Sequence, residues 1–279
     1  MKLVGRRRAV AARPGVAYET RVLPLPYEFY DLTAPPLAPS AAALAGRLRR
    51  LRALGCIAAF TAAVHADVLR RRPDVFCIQH GWPESYLQPL CQRLGVKTVA
   101  LGNGPLRSDA LMAGSSLDAF IATNPVQAAW ARYFQRAPVT LMRMGVDLSR
   151  FQPHGPASPV VLGLPAPRVL LCGGLVPIKR VPLAIAALAQ LARGSLVLVG
   201  DGPERAALQR QLSERLPGRS LMLGAVPHED LAPIYRAADV LAFPSGPAET
   251  AGQVILEALA CGTPVVASDD LIRRWLVGD

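Results

Sequence analysis

Residues 244–264 read Pro-Ser-Gly-Pro-Ala-Glu-Thr-Ala-Gly-Gln-Val-Ile-Leu-Glu-Ala-Leu-Ala-Cys-Gly-Thr-Pro. The apolar run Val240–Pro244 reads as a strand, Ala251–Cys261 as a helix, and Pro264–Ser268 as a second strand. Gly262 stands where a C-cap glycine would stop the helix. Free amides at the helix start, together with the helix dipole, make an anion site. Gly252 has no side chain in that first turn, so a phosphate could approach the backbone closely. Glu249 lies just before the helix and Glu257 two turns inside it. Eight residues of helix span roughly 12 Å with a phase offset of about 80°, so both carboxylates can face one elongated ligand. Carboxylates suit hydroxyl-bearing ligands, because each accepts two hydrogen bonds in a fixed geometry. Thr250 with Gln253 also reads as a capping box, which by itself requires no ligand. Glu249 also reads as a solvated loop residue. Glu257 is the one charged side chain between Ala251 and Cys261, in a helix that otherwise reads as buried. An unpaired buried charge is costly, so a ligand partner is expected there.

The same alternation of apolar runs and helical stretches extends upstream. Strands are expected at Arg168–Cys172, Ser195–Gly200 and Ser220–Val226, with helices at Val181–Ala192, Glu204–Arg215 and Glu229–Ala237. The strands are unbroken apolar runs, as in a parallel sheet covered on both faces. Residues 151–167 carry Pro153, Pro156, Pro159, Pro165 and Pro167 without a helical or alternating period, and read as a linker. Before it, strands are expected at Asp74–Gln79, Thr98–Leu101, Ala119–Thr123 and Val139–Met142. Helical patterns lie between them at Ala58–Arg71, Glu84–Leu94 and Val126–Phe134. The fold class is therefore α/β, with two Rossmann-like domains carrying parallel sheets that face a cleft. The first spans 1–150 and the second 168–279.

Composition narrows the partners. Of 279 residues 51% are hydrophobic, and no apolar run approaches the roughly 20 residues of a spanning helix. Five cysteines, at 56, 77, 91, 172 and 261, are odd in number and widely spaced, which fits a reducing, cytoplasmic setting. The formal charge is +11, yet lysine occurs only at 2, 97 and 179. There is no zinc spacing and no aromatic stacking motif, so nucleic acid is not the expected partner. The arginine clusters at 6–8, 47–52 and 70–72 read as solvated surface, or as a basic face against anionic lipid at the inner membrane face.

From Glu249 to Glu257 the sequence resembles the E-x7-E motif of retaining GT-B glycosyltransferases of the family-4 type. The run Gln253–Ser268, the segment Val199-Gly200-Asp201-Gly202-Pro203-Glu204, and Met144-Gly145-Val146-Asp147 followed by Phe151 are similar to three further elements of that family, in the same order. The resemblance implies metal-independent transfer of a sugar from a nucleotide diphosphate sugar, uridine- or guanosine-linked, with no cofactor. It implies that Glu249 meets the transferred sugar and Glu257 the ribose, while Thr250, Ala251 and Gly252 offer amides to sugar and diphosphate. It implies further that the Gly173-Gly174 turn approaches the phosphates, that Lys179 neutralises them, and that the backbone near Val226 flanks the base. The acceptor, whether saccharide, lipid or small molecule, stays open.

The chain departs from the pattern in places. The family's arginine is replaced by Gly174, and Arg180 is a candidate to supply the missing contact. Ala251 stands where an aromatic residue is common. The family's first-domain histidine has no counterpart at Leu101-Gly102-Asn103-Gly104, which leaves His80 as the substitute, or as a structural histidine. The family's opening strand and its last βα units are not apparent, so the sequence reads as incomplete at both termini. Two alternatives accompany the enzyme reading: a degenerate, non-catalytic GT-B subunit, and a nucleotide-sugar epimerase of the same architecture.

Overall fold

The computed structural model describes residues 2–4, 20–22, 55, 58–79, 87–102, 117–134, 136–246, 249 and 252–277. The chain divides into two units, 1–99 and 100–279.

In the first unit, β1 (Lys2–Val4) pairs in parallel with β2 (Thr20–Val22). β1 was not expected, because two apolar residues behind one lysine are too short to show a strand period. A helical stretch over 58–71 leads into β3 (Val75–Gln79), followed by α1 (Gln88–Leu94). Gly95 closes α1 in the left-handed region at φ 71°, which glycine adopts without Cβ strain. Val64, Val68, Leu87, Cys91 and Val96 form the core here. Arg70 and Arg71 both bond the buried Asp67 carboxylate, Arg71 through Nε at 3.2 Å. Two members of the 70–72 cluster are thus paired with a carboxylate. The clusters at 6–8 and 47–52 lie outside the described residues.

β4 (Lys97–Gly102) straddles the division. Its first residue donates N–H to Asp74 O, just before β3, within the first unit. Within the second, Thr123 Oγ1 donates to Gly102 O beside β5 (Ala119–Ala122). α2 (Pro125–Phe134) then leads to β6 (Val139–Leu141), which is parallel to β5.

The proline-rich segment contains one short helix, α3 (Pro159–Leu162), with proline at its first position, where a missing N–H costs nothing. Val161 fixes it by full burial. Beyond it lie β7 (Arg168–Cys172), α4 (Val181–Ala189), β8 (Ser195–Val199), α5 (Arg205–Arg215), β9 (Ser220–Gly224) and α6 (Leu231–Ala237). They are followed by β10 (Val240–Phe243), α7 (Gln253–Ala260), β11 (Val265–Ala267) and α8 (Leu271–Val277).

The five strands form one parallel sheet in the order β11-β10-β7-β8-β9. Strand alternation assigns the faces. Val169, Leu171, Leu196 and Leu198 pack with Ile185 of α4 and Leu208 and Leu212 of α5. Leu170, Cys172, Val197 and Val199 pack with Tyr235 of α6, Ile255 of α7 and Leu276 of α8. Each fully buried leucine contributes on the order of 1.5–3 kcal/mol, so this double-faced core outweighs local propensity. The chain runs outward from β7 through β8 and β9, then crosses back to β10. The order therefore reverses between β7 and β10, and in open α/β sheets ligands bind outside the carboxyl ends of the strands at such a point.

Candidate functional site

Three strands end in glycines with positive φ: Gly173 at 145°, Gly200 at 130° and Gly224 at 72°. Gly173 N–H donates to Val199 O and Gly200 N–H to Gly224 O, so the three turns are tied in a row along the carboxyl edge. A Cβ on Gly200 would sit 1.8 Å from Gly173 O, and one on Gly202 would sit 2.5 Å from Leu175 O. The Val199–Glu204 segment thus packs backbone to backbone against the Gly173–Leu175 turn and fixes its shape. Gly174 is exposed, and a Cβ there would find its nearest neighbour, Asp201 O, at 4.0 Å.

After that turn a 3₁₀ turn, Pro177–Lys179, delivers Lys179 to the site. Its Nζ lies 2.6 Å from Glu249 Oε2 and 5.2 Å from the centre of the Phe243 ring. Both charged side chains are about five-sixths buried. The loops after β7 and β10 are joined by Gly246 N–H donating to Ile178 O at 2.8 Å, and Glu249 N–H donates to Gly246 O at 3.0 Å. Lys179 and Glu249, expected from the sequence to meet one ligand, are thus held together at the switch point. Arg180, at φ 49°, is exposed and lies against Gly246, 3.4 Å from where a Cβ would be.

The structure revises the helix start. α7 begins at Gln253 with Gly252 as N-cap, and no side chain caps it. Gln253 is not a capping-box partner; its Nε2 donates instead to Gly145 O at 2.9 Å. Gly252 is buried, and a Cβ there would stand 2.5 Å from Leu276 Cδ1, so α8 packs closely against it. Thr250, Ala251, Asn103 and His80 lie outside the described residues. Val226 is half-buried and packs on the core beyond β9.

Glu257 is 2% exposed, and its charge has partners within the chain. Tyr235 donates its hydroxyl to Oε2 at 2.8 Å, and His228 Nε2 lies 2.7 Å from Oε1. The expectation that a ligand must partner this carboxylate is corrected: two side chains of the chain already do so. Sequence reasoning missed both. The available signal was Tyr235, a lone hydroxyl in an otherwise apolar helix turn, beside the lone charge of the following helix. Cys172 adjoins Tyr235, and burial pushes its thiol up to about 11, opposed by the hydrogen bond to Tyr235, with Glu257 adding to the rise and Lys179 lowering it. Burial likewise drives the Tyr235 hydroxyl far above its usual range, with Cys172 and Glu257 adding to the effect.

A second missed residue is Arg273 of α8, which is 2% exposed. Its Nη2 donates to Gly246 O at 3.1 Å and its Nη1 lies 2.9 Å from Asp270 Oδ2. It backs the loop that carries Glu249. Two adjacent arginines hide this helix from an apolar-period reading, since Arg274 points outward to Asp269.

The fold is a doubly wound parallel sheet with a cation and a carboxylate paired at its switch point. Residues 166–276 match the family model of the glycosyl transferases group 1. Among curated proteins, the D-inositol 3-phosphate glycosyltransferase of Saccharomonospora viridis is 36% identical over 171 residues, covering 54% of this chain and 39% of the relative. That of Mycobacterium bovis is 37% identical over 142 residues, covering 47% and 29%. The chain thus spans well under half the length of these relatives. Among solved structures, sucrose-phosphate synthase from Thermosynechococcus elongatus superposes with a TM-score of 0.66 at 26% identity, covering 76% of this chain and 60% of that one. Anabaena HepE, in complex with UDP and glucose, shares the fold at a TM-score of 0.62 and 21% identity, covering 81% and 65%. The epimerase and non-catalytic alternatives are not favoured by these likenesses.

Proposed function

We propose that this chain transfers a sugar from a nucleotide diphosphate sugar to an acceptor, with retention at the anomeric carbon. In this reading residues 168–279 hold a uridine- or guanosine-linked donor and residues 1–150 the acceptor. The observation that carries it is the Lys179–Glu249 pair at the switch point of the sheet, beside the glycine turn of β7. The chemistry is an exchange of partners. An arriving diphosphate competes with Glu249 for Lys179, and the freed carboxylate then accepts hydrogen bonds from the hydroxyls of the sugar. As the bond to the sugar breaks, negative charge builds on the leaving diphosphate, where Lys179 stabilises it. The leaving group helps remove the acceptor proton on the same face, which gives retention.

The reading includes no resident metal or cofactor. It places the chain in the cytoplasm, with a basic surface available to anionic lipid. Among the described residues no helix is long and apolar enough to cross a membrane. That Anabaena HepE, of the same fold, is seen in complex with UDP and with UDP-glucose supports the donor class.

The test is a thermal-shift and calorimetric screen with UDP, GDP and ADP and their sugars. Ligand at a hundred times its Kd adds about 2.7 kcal/mol of stability, so one nucleotide series should raise the melting temperature. No response to any of them would overturn the reading.

A further inference from the structure

Arg273 of α8 is a buried cation whose bonds run to the loop of Glu249 and not to solvent. It is 2% exposed, and its Nη2 donates to Gly246 O at 3.1 Å. Nη1 faces Asp270 Oδ2 at 2.9 Å as an ion pair, and among the described residues Nε meets no hydrogen-bond partner. The guanidinium lies over Phe243, 5.4 Å from the centre of the ring, and the Lys179 ammonium lies 5.2 Å from the same centre. Asp270 directs the side chain from below. Its Oδ1 accepts the N–H groups of Ile272 and Arg273 at 3.0 Å, which caps α8 and sets where Arg273 leaves it.

Such a residue is a poor stabiliser. A buried cation loses its hydration, and a partly satisfied one does not recover that cost, so an apolar side chain of similar volume is often as stable or more so. What Arg273 supplies instead is a fixed point on the loop after β10. The Gly246 carbonyl that it holds also accepts Glu249 N–H at 3.0 Å, and Gly246 N–H donates to Ile178 O at 2.8 Å, one residue before Lys179. Ser268, just beyond β11, bonds to Ser245 O and Phe243 O of the same stretch, and both bonds stop short of Gly246. Gly246 is thus the junction from which both members of the Lys179–Glu249 pair take their positions, and Arg273 bonds to that junction.

Resting on the donor-site reading above, we propose that Arg273 is a positioning residue. It holds the loop after β10 so that the Glu249 carboxylate stands beside Lys179, and through that placement it sets the preference for a nucleotide sugar over the bare nucleotide. Arg273 acts through Glu249 and not by touching a ligand.

The experiment is calorimetric titration with UDP, GDP and their glucose conjugates, with melting temperatures and amide hydrogen exchange recorded on the same proteins. R273M should stay folded, because Asp270 is partly exposed and still caps α8. Its affinity for the bare nucleotide should stay within about twofold. The advantage of the nucleotide sugar should fall by about tenfold, the scale of one hydrogen bond to a charged group. E249A should lose the same advantage, and R273M/E249A should lose no more than E249A alone, since both act on one contact. R273K, whose ammonium still donates to Gly246 O, should recover part of it. The amides of Gly246 and Glu249 should exchange faster in R273M, with those of β8 unchanged. If R273M fails to fold, D270N takes its place, since asparagine still caps α8 but turns a donor toward the guanidinium. A folded variant that keeps the sugar advantage, additive losses in R273M/E249A, or unchanged exchange at Gly246 and Glu249 overturns the positioning role and leaves the donor site standing. A chain that binds the nucleotides without any sugar advantage overturns the role of Glu249 and the proposal with it. A chain that binds no nucleotide overturns the donor-site reading, and the ligand-free exchange alone then judges whether Arg273 holds the loop.

Discussion

Lys179 and Glu249 neutralise each other across 2.6 Å, so a ligand must compete for either one. Replacing Lys179 with alanine removes the cation that meets the diphosphate. Binding of the bare nucleotide diphosphate should weaken by about 1.5–3 kcal/mol, the scale of a charged hydrogen bond. An unchanged dissociation constant in a folded variant would sink the assignment. Glu249→Ala has the opposite sign for that ligand. It frees Lys179 from its internal partner, so bare nucleotide diphosphate should bind as well or slightly better. The nucleotide sugar should lose its advantage over the bare nucleotide by about 1–3 kcal/mol, because its hydroxyls then go unmatched. Paired titrations with the two ligands read this difference directly. Equal losses for both would move Glu249 from the sugar to the nucleotide.

The turns after β7 and β8 are where element geometry and sequence meet most tightly. Gly200→Ala would place a Cβ 1.8 Å from Gly173 O at a φ of 130°, against backbone atoms and not a side chain that could move aside. Urea unfolding should show a loss of at least about 2 kcal/mol, since strain and steric overlap combine. Gly174→Ala, with its nearest atom 4.0 Å away, should stay within about 0.5 kcal/mol of the unmutated chain. If the two variants melt alike, the close approach of the two turns is wrong. The strands themselves were legible because β8 is buried at all five positions, and such a run needs no long-range information. The start of α7 was not. The capping-box pattern at Thr250 and Gln253 is local, whereas the side chain of Gln253 is claimed by Gly145, 108 residues earlier. α8 escaped notice for a similar reason, since Arg273 is buried only because Gly246 and Asp270 receive its guanidinium.

At the scale of the whole molecule, the buried polar core ties distant parts of the chain together. Glu257 was legible as a buried charge, but its partners lie 22 and 29 residues upstream, where no spacing rule reaches. Cys172 at the end of β7 is buried in the core, and its place beside Tyr235 has a consequence for stability. Burial raises the thiol from an ordinary value near 9.0 to about 11. An acid whose pKa is higher in the folded state stabilises the fold below the unfolded value and loses that contribution as pH rises through the folded one. The stability at stake for Cys172 is therefore present below about pH 9 and lost between about 9 and 11, about 3 kcal/mol in full. Tyr235 steepens the decline above pH 10, and Cys91 and Cys261, also raised by burial, act in the same direction. Unfolding free energies measured from pH 8 to 11 should fall steadily for the unmutated chain. Cys172→Ala starts lower, because a buried side chain is shortened, but should fall less steeply over the same window. Subtracting the two profiles removes the other thiols and isolates Cys172. Parallel profiles would mean that the thiol meets water in the folded state, and the packing of β7 against α6 would have to be looser than the Cys172–Tyr235 contact implies.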